Sequence, residues 1–273
     1  MVNGKLLMSE ISVGNEVDFT QEDAVLTVAL NRPEVHNAMT PTMIAELTAV
    51  FKTIPSREDV RVVVLTGNGR SFCAGADLSF MRAAADYTFA ENVQDGEAIF
   101  DLMLMIDQCP KPVVGRVNGA AIGGGVGLVS CCDIVVAVER AKFGFSETRL
   151  GIVPAVISPF VLAKIGVGNG RELFLTGERF NAHHAQQIGL VNYVVPDDEL
   201  DANVAERVSQ LLQAAPGAQA AAKNLIRQVA HQPKEAVRDT TANLIAQRRD
   251  SDEGREGMSA FLQKRKPWWQ EEL

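Results

Sequence analysis

The sequence predicts an α/β fold of parallel βαβ units closed by a helical C-terminal layer. Three observations predict it: β-branched runs recur at Val60–Leu65, Val113–Val117 and Ile134–Val138, helical stretches separate them, and beyond Pro154 the pattern turns mostly helical. Taken in order, Ala24–Leu30 alternates as a strand does, and Arg32-Pro33 ends it. Thr40-Pro41 sets a capping hydroxyl before a proline whose fixed φ suits a first helical turn, so a helix is expected to about Lys52. Val60–Leu65, broken only by Arg61, is the run of a strand buried on both faces. Helices are expected near Ala90–Asp107 and Val126–Cys132, each leading into one of the two following strands. One further strand candidate is Leu190–Val195, and from Asp197 long amphipathic helices continue to the end. Around Ile245–Lys266 a helix carries Met258, Phe261 and Leu262 on one face, with Arg248, Arg249, Arg255, Lys264, Arg265 and Lys266 opposite. Such a helix either caps its own core or docks on a neighbouring subunit. The expected division is a core over residues 1–200 and a helical region over 201–273.

Acids exceed bases to a net charge of −8, which gives no general pull toward nucleic acid or anionic lipid, so neither is an expected partner. The longest apolar stretches, around Ile122–Cys132 and Ile152–Ile165, are interrupted well short of the roughly 20 residues that span a bilayer, so no transmembrane segment is expected. Met1 to Leu7 carry one Lys and a very short apolar run, and Glu10, Glu16 and Asp18 follow. That pattern suits neither a secretory signal nor a transit peptide, and a cytoplasmic location is expected. Cys73, Cys109, Cys131 and Cys132 lack C-x-x-C spacing and a nearby histidine, so buried reduced thiols are expected and no metal. Cys73 has no neighbouring histidine to activate it as a nucleophile. His183, His184 and His231 attract no assignment. No dinucleotide-binding fingerprint, P-loop or nucleophile elbow occurs.

What the chain does contain is a pair of glycine-rich turns, Phe72-Cys73-Ala74-Gly75-Ala76-Asp77-Leu78 and Asn118-Gly119-Ala120-Ala121-Ile122-Gly123-Gly124-Gly125, each after a β-branched run and before a helix. Glycine lets backbone approach a ligand, and a helix start leaves N–H groups unpaired, so each turn can aim a donor at a negative oxygen. Two such donors make an oxyanion hole. Glu147 follows soon after as a lone carboxylate; its plain alternative is a surface ion pair with Arg149.

Together with Asn31-Arg32-Pro33, Asn37-Ala38, Cys132-Asp133-Ile134, Phe143-Gly144-Phe145-Ser146-Glu147 and Ala260-Phe261-Leu262-Gln263-Lys264-Arg265, these turns resemble the crotonase superfamily, the enoyl-CoA hydratase/isomerase family, over nearly the whole chain. The resemblance implies a ββα superhelix whose C-terminal helical region serves oligomerisation and coenzyme A closure, in a homotrimer or dimer of trimers. It implies an acyl-CoA thioester as substrate, with coenzyme A part of the substrate and no separate cofactor. By the same resemblance Ala76 and Gly124 supply the oxyanion hole and Glu147 is the catalytic carboxylate. His36, Ala38, Ala74, Gly75, Asp77 and Leu78 then line the substrate path, and Phe261 and Lys264, often a neighbour's, close over it. For His36 an ordinary exposed histidine, and for Lys264 a basic residue complementing a helix end, are equally good readings. One oxyanion donor contributes about 2.7–4 kcal/mol to the transition state.

Two departures matter. Familiar hydratases carry a second glutamate two residues after the glycine triplet, and here that position is Gly127, expected to leave space for water or a polar group of the substrate. Pro154-Ala155-Val156-Ile157-Ser158-Pro159 replaces the usual glycine run, and Ala155 stands where the thioester-hydrolysing branch has an aspartate. Within the family the chain looks most like bacterial methylglutaconyl- or carboxygeranoyl-CoA hydratases. The expected activity is hydration of a 2-enoyl-CoA. A single-glutamate Δ3-Δ2-enoyl-CoA isomerase and a non-catalytic acyl-CoA or RNA binder are the alternatives. Acyl-pocket residues are expected among 80–100 and 157–162.

Overall fold

The computed structural model describes residues 16–271, so the N-terminal residues read above as lacking a targeting signal lie outside it. The chain opens with strands β1 (Val17–Glu22) and β2 (Val25–Leu30), which turn back on each other at Asp23, φ +49°. Helix α1 (Pro41–Thr53) begins where expected, with Thr40 Oγ1 accepting from Met43 N–H at 3.0 Å. Strand β3 (Val62–Gly67), helices α2 (Leu78–Ala84) and α3 (Phe89–Asp107), and strand β4 (Val113–Val117) follow. A two-residue strand β5 (Ala121–Ile122) then leads into α4 (Gly124–Cys131), β6 (Ile134–Val138) and β7 (Lys142–Gly144). Helix α5 (Ser158–Thr176), kinked at Gly166, precedes β8 (Arg179–Asn181), α6 (Ala182–Gln187) and β9 (Tyr193–Val195). Helices α7 (Leu200–Leu212), α8 (Pro216–Val229), α9 (Arg238–Asp250) and α10 (Asp252–Gln263) complete the described chain.

Six strands form one sheet in the order β1-β2-β3-β4-β6-β9, antiparallel only at the β1–β2 hairpin. The expected parallel core is therefore present, and its β-branched runs are buried as predicted: every residue of β3 is buried. Strand β1 went unanticipated because its sequence, VDFTQE, is polar and mostly exposed, as an edge strand is. Helices α1, α3, α4 and α5 pack in succession, while α7 contacts β3, β4 and β6.

A second, three-stranded sheet has the order β5-β7-β8. Its strands are two or three residues long, and none was visible in the sequence pattern. The expected single helix over 245–266 is corrected to two: Ser251 is extended, ψ 157°, and its hydroxyl accepts from Gly254 N–H at 3.1 Å, so α10 starts afresh. The apolar face of α10 does not cap this chain's own core, since Phe261 is 83% and Leu262 79% exposed. Among the described residues no helix is long and apolar enough to cross a membrane.

Candidate active site

The two glycine turns are stitched to each other by backbone. Phe72 and Cys73 N–H both donate to Ala120 O at 3.0 Å, and Ile122 N–H donates back to Cys73 O at 2.9 Å. Glycine is required at this contact: a Cβ on Gly125 would stand 2.4 Å from Cys73 O, and one on Gly75 2.9 Å from Ile122 O. Gly75 and Gly123 also hold φ of +94° and +52°, where side-chain-bearing residues are strained.

Each turn presents a donor for which the described residues supply no backbone partner, Ala76 in the first and Gly124 in the second. Met39 N–H donates to Gly75 O at 2.7 Å and Asp77 N–H to Met39 O at 2.9 Å, a parallel bridge in which Ala76 is the central residue. The flanking residues make those bonds, so the N–H of Ala76 faces away from Met39. Gly124 is the first residue of α4 and has no carbonyl one turn behind it. The earliest bonds to Gly123 O come instead from Val126 and Gly127 N–H, at 2.9 and 3.2 Å.

Glu147 arrives through the small sheet. Gly123 N–H donates to Gly144 O at 2.9 Å, extending the β5–β7 pairing, and the chain then enters a 3-10 turn over Glu147–Leu150. The fully buried Phe145 packs edge-on against Phe174, ring centroids 4.8 Å apart, and Thr148 Oγ1 donates to Phe174 O at 2.7 Å. The carboxyl so held lies against the start of α4: a Cβ on Gly123 would sit 3.0 Å from Glu147 Oε1. Glu147 Oε2 is buried and has no hydrogen-bond partner among the described residues. Burial raises the Glu147 pKa above the ordinary carboxyl value. Arg149, the alternative ion-pair partner, donates to Thr176 O at 3.0 Å.

The remaining predicted residues separate into two groups. His36 is exposed, with Nδ1 3.0 Å from Ser71 Oγ, and Ala74 N–H donates to His36 O at 3.0 Å, so His36, Ala38, Ala74, Gly75 and Leu78 all lie along the first turn. Asp77 sits there too, but its carboxylate turns inward: it caps α2 at Ser79 N–H, 2.8 Å, and pairs with Arg32 Nη1 at 2.8 Å. The Ser79 hydroxyl, which also donates to it, and then the Arg32 guanidinium hold its pKa well below the usual carboxylate range. Phe261 and Lys264 lie exposed at the end of α10, outside this cluster. Cys73 is buried, free, and pushed up to about 12 by burial, which leaves it a packed thiol, as expected.

The space expected beside Gly127 is filled, and that expectation is corrected. A Cβ there would meet Met103 Cε at 2.5 Å and Ile157 Cγ2 at 2.6 Å. A thioether tip and a branched methyl thus occupy the position where familiar hydratases have a second carboxylate. Met39 and Met103 were missed by sequence reasoning, whereas Ile157 falls in the 157–162 stretch expected to supply acyl-pocket residues; the signal for the two methionines was that glycine at 124 and 127 demands some close neighbour. A cavity of about 900 Å³ between the large sheet and α7, lined by Thr66, Arg116, Leu200 and Val204, includes none of the predicted site residues.

Two glycine turns apposed through their backbones, with the half-buried Glu147 carboxyl against the second of them, are the features by which the sequence resembles the crotonase superfamily. A family model described as enoyl-CoA hydratase/isomerase matches residues 20–272, and the chain belongs to that family, as an enzyme of its lyase class. It is 36% identical to the enoyl-CoA hydratase of Shewanella pealeana ATCC 700345, whose crystal structure superposes with a TM-score of 0.92 over 98% of this chain and 100% of that one. Pseudomonas aeruginosa AtuE is 38% identical with a TM-score of 0.89, covering 93% of this chain and 99% of that one. The 2,3-dehydroadipyl-CoA hydratase of Escherichia coli K12 is 34% identical over 254 residues, 93% of this chain and 98% of the relative.

Proposed function

We propose that the protein adds water across the C2–C3 double bond of a 2-enoyl-CoA thioester. The Ala76 and Gly124 N–H groups hold the thioester oxygen. Glu147 takes a proton from water as the water oxygen bonds to C3, the C2–C3 π pair moves to make an enolate, and Glu147 returns that proton to C2. One carboxyl suffices because one proton leaves and one is delivered. Coenzyme A enters as part of the substrate, and no step draws on a metal or redox group. The observation that carries this reading is the Glu147 carboxyl lying against Gly123, one residue from the Gly124 donor, with Oε2 unpartnered. Burial that raises its pKa suits a group that both accepts and gives a proton.

A second reading is favoured by the filled slot at Gly127. With Met103 and Ile157 there, a lone Glu147 also suits an isomerase that removes a proton from one carbon of a 3-enoyl-CoA and returns it two carbons away. Product mass separates the two, since hydration makes the product heavier by one water and isomerisation leaves the mass unchanged. The test is purified protein with a panel of 2-enoyl and 3-enoyl esters, including methylglutaconyl- and carboxygeranoyl-type esters because of the resemblance noted above, and a dicarboxylic 2-enoyl ester because of the dehydroadipyl-CoA relative. No water gain from any 2-enoyl ester would overturn hydration. The same reading makes the protein a cytoplasmic homotrimer or dimer of trimers, with exposed Phe261 and Lys264 closing over a neighbour's coenzyme A; light scattering of the purified protein checks the assembly.

A further inference from the structure

We infer that Met39 is a positioning residue that sets the spacing of the two oxyanion donors, an inference that rests on the roles proposed for Ala76 and Gly124. Its backbone acts on one donor. By bonding Gly75 O at 2.7 Å and Asp77 N–H at 2.9 Å, it holds Ala76 flat between them and turns the Ala76 N–H to the far side. Its side chain acts on the other. Met39 Cε lies 2.1 Å from the point where a Cβ on Gly124 would stand, so the thioether methyl fills the volume of an absent side chain and bears on the residue whose N–H is the second donor. One buried residue, 4% exposed, therefore touches both halves of the hole.

Its neighbours keep it from moving. Ala38 O accepts from Arg32 Nη1 at 2.7 Å, and Thr40 caps α1. The Met39 backbone is thus clamped on both sides, and the only freedom left is in its side chain. A thioether has several soft torsions, so its place on Gly124 is fixed by packing alone. Truncation at 39 leaves the Ala76 bridge intact, because any residue but proline makes it, and removes only the support of Gly124. The two donors then stop acting as a pair. A misplacement of about 1 Å in a catalytic group can cost on the order of 100-fold, so the loss should fall in turnover while ground-state coenzyme A contacts persist.

The experiment compares wild type with Met39→Ala, Met39→Leu and a control, Met43→Ala, whose side chain is fully buried in the core and is not among the nearest atoms to Gly75, Gly123, Gly124 or Gly125. The readouts are kcat, KM and the absorbance of bound dimethylaminocinnamoyl-CoA, a chromophoric enoyl thioester whose band moves red as its carbonyl is polarised. Met39→Ala is expected to lose about 10- to 100-fold in kcat with KM nearly unchanged and to lose most of the red shift, Met39→Leu to lose less of both, and Met43→Ala to lose thermal stability but keep the shift. If Met39→Ala does not fold, Met39→Leu alone decides. A full red shift and full kcat in a folded Met39 variant overturns the inference; no red shift in wild type instead removes the oxyanion roles of Ala76 and Gly124 beneath it.

Discussion

Replacing Glu147 with glutamine changes one oxygen into an amide and should move activity and stability in opposite directions. A positioned proton-transfer group contributes about 10²–10⁴-fold, equivalent to roughly 2.7–5.4 kcal/mol of transition-state stabilisation, and Glu147→Gln should lose that much in kcat. The gain in stability comes from the same geometry. Oε2 is buried without a partner, and an ionised oxygen so placed is desolvated with nothing in return. Removing the charge should stabilise the fold by about 1 kcal/mol, which in a chain of this size is about 2–4 °C in Tm. The sign is fixed by pH. Because the folded pKa is raised above the ordinary 4.5, wild type carries this contribution in full below that value and loses it as pH rises through the folded pKa. The gap in Tm between variant and wild type should therefore open on going from acid to neutral pH. The base form is also needed for water activation, so the acid limb of kcat should lie above that of an ordinary carboxyl. Steady-state hydration of a 2-enoyl-CoA and thermal denaturation across pH measure both. Retention of full rate, or a Tm gap that does not change with pH, would refute the reasoning.

Three further outcomes follow from contacts around the site. Gly125→Ala drives a methyl to 2.4 Å from the Cys73 carbonyl, a backbone atom that cannot rotate away, so urea titration should show a loss at or above the usual overpacking range of about 1–3 kcal/mol. Gly127→Ala meets side-chain atoms instead, at 2.5 Å from Met103 Cε, and should cost about 1–3 kcal/mol. Adding Met103→Ala relieves that clash, so the double variant should be more stable than the sum of the singles by about 0.5–3 kcal/mol in a double-mutant cycle; additivity would show that the two positions do not touch. Asp77→Ala removes the α2 cap and the Arg32 pair and should cost about 0.5–2 kcal/mol for the cap alone. Since the Asp77 pKa is depressed, its contribution is present above the ordinary 3.8 and fades as pH falls toward the folded value, so the difference from wild type should shrink in acid denaturation series.

The long elements were legible because their residues announce their burial. Val113–Val117 and Ile134–Val138 appear as strands with the bounds read from sequence, and Thr40-Pro41 opens α1 as its chemistry requires. Strands β5, β7 and β8 were not legible, since two or three residues cannot show a period, and they owe their conformation to pairing with each other. The approach of Glu147 to the second glycine turn was legible only through resemblance. Its physical cause, the bond from Gly123 N–H to Gly144 O, joins distant segments. The contents of the slot at Gly127 were illegible for a related reason: glycine in sequence declares that something comes close but not what, and Met103 and Ile157 lie on other elements. Ser251 was a different kind of miss, because Ser-Asp-Glu-Gly is a local capping signal that the amphipathic pattern across 245–266 obscured.

The smallest sheet in the molecule controls the step that matters most to the proposed chemistry. The carboxyl of Glu147 is placed by counting residues from Gly144, and Gly144 is placed by its register against Ile122. A slip of one residue between β5 and β7 would move the carboxyl by about 3.3 Å along the strand and turn the alternation over. A proton-transfer group must lie within about 2.6–3.2 Å of its proton, so no slip is tolerable. Two hydrogen-bonded residues cannot hold register by themselves. The added hold comes from Phe143, which is fully buried and stacks on Phe180 of β8 with ring centroids 5.8 Å apart, and from Phe145, which packs on Phe174 and Phe180. Those four rings, Phe143 of β7, Phe145 just after it, Phe180 of β8 and Phe174 of α5, bury apolar surface only when Phe143 faces inward opposite Ala121. The register, and with it the reach of Glu147, is therefore fixed by aromatic packing.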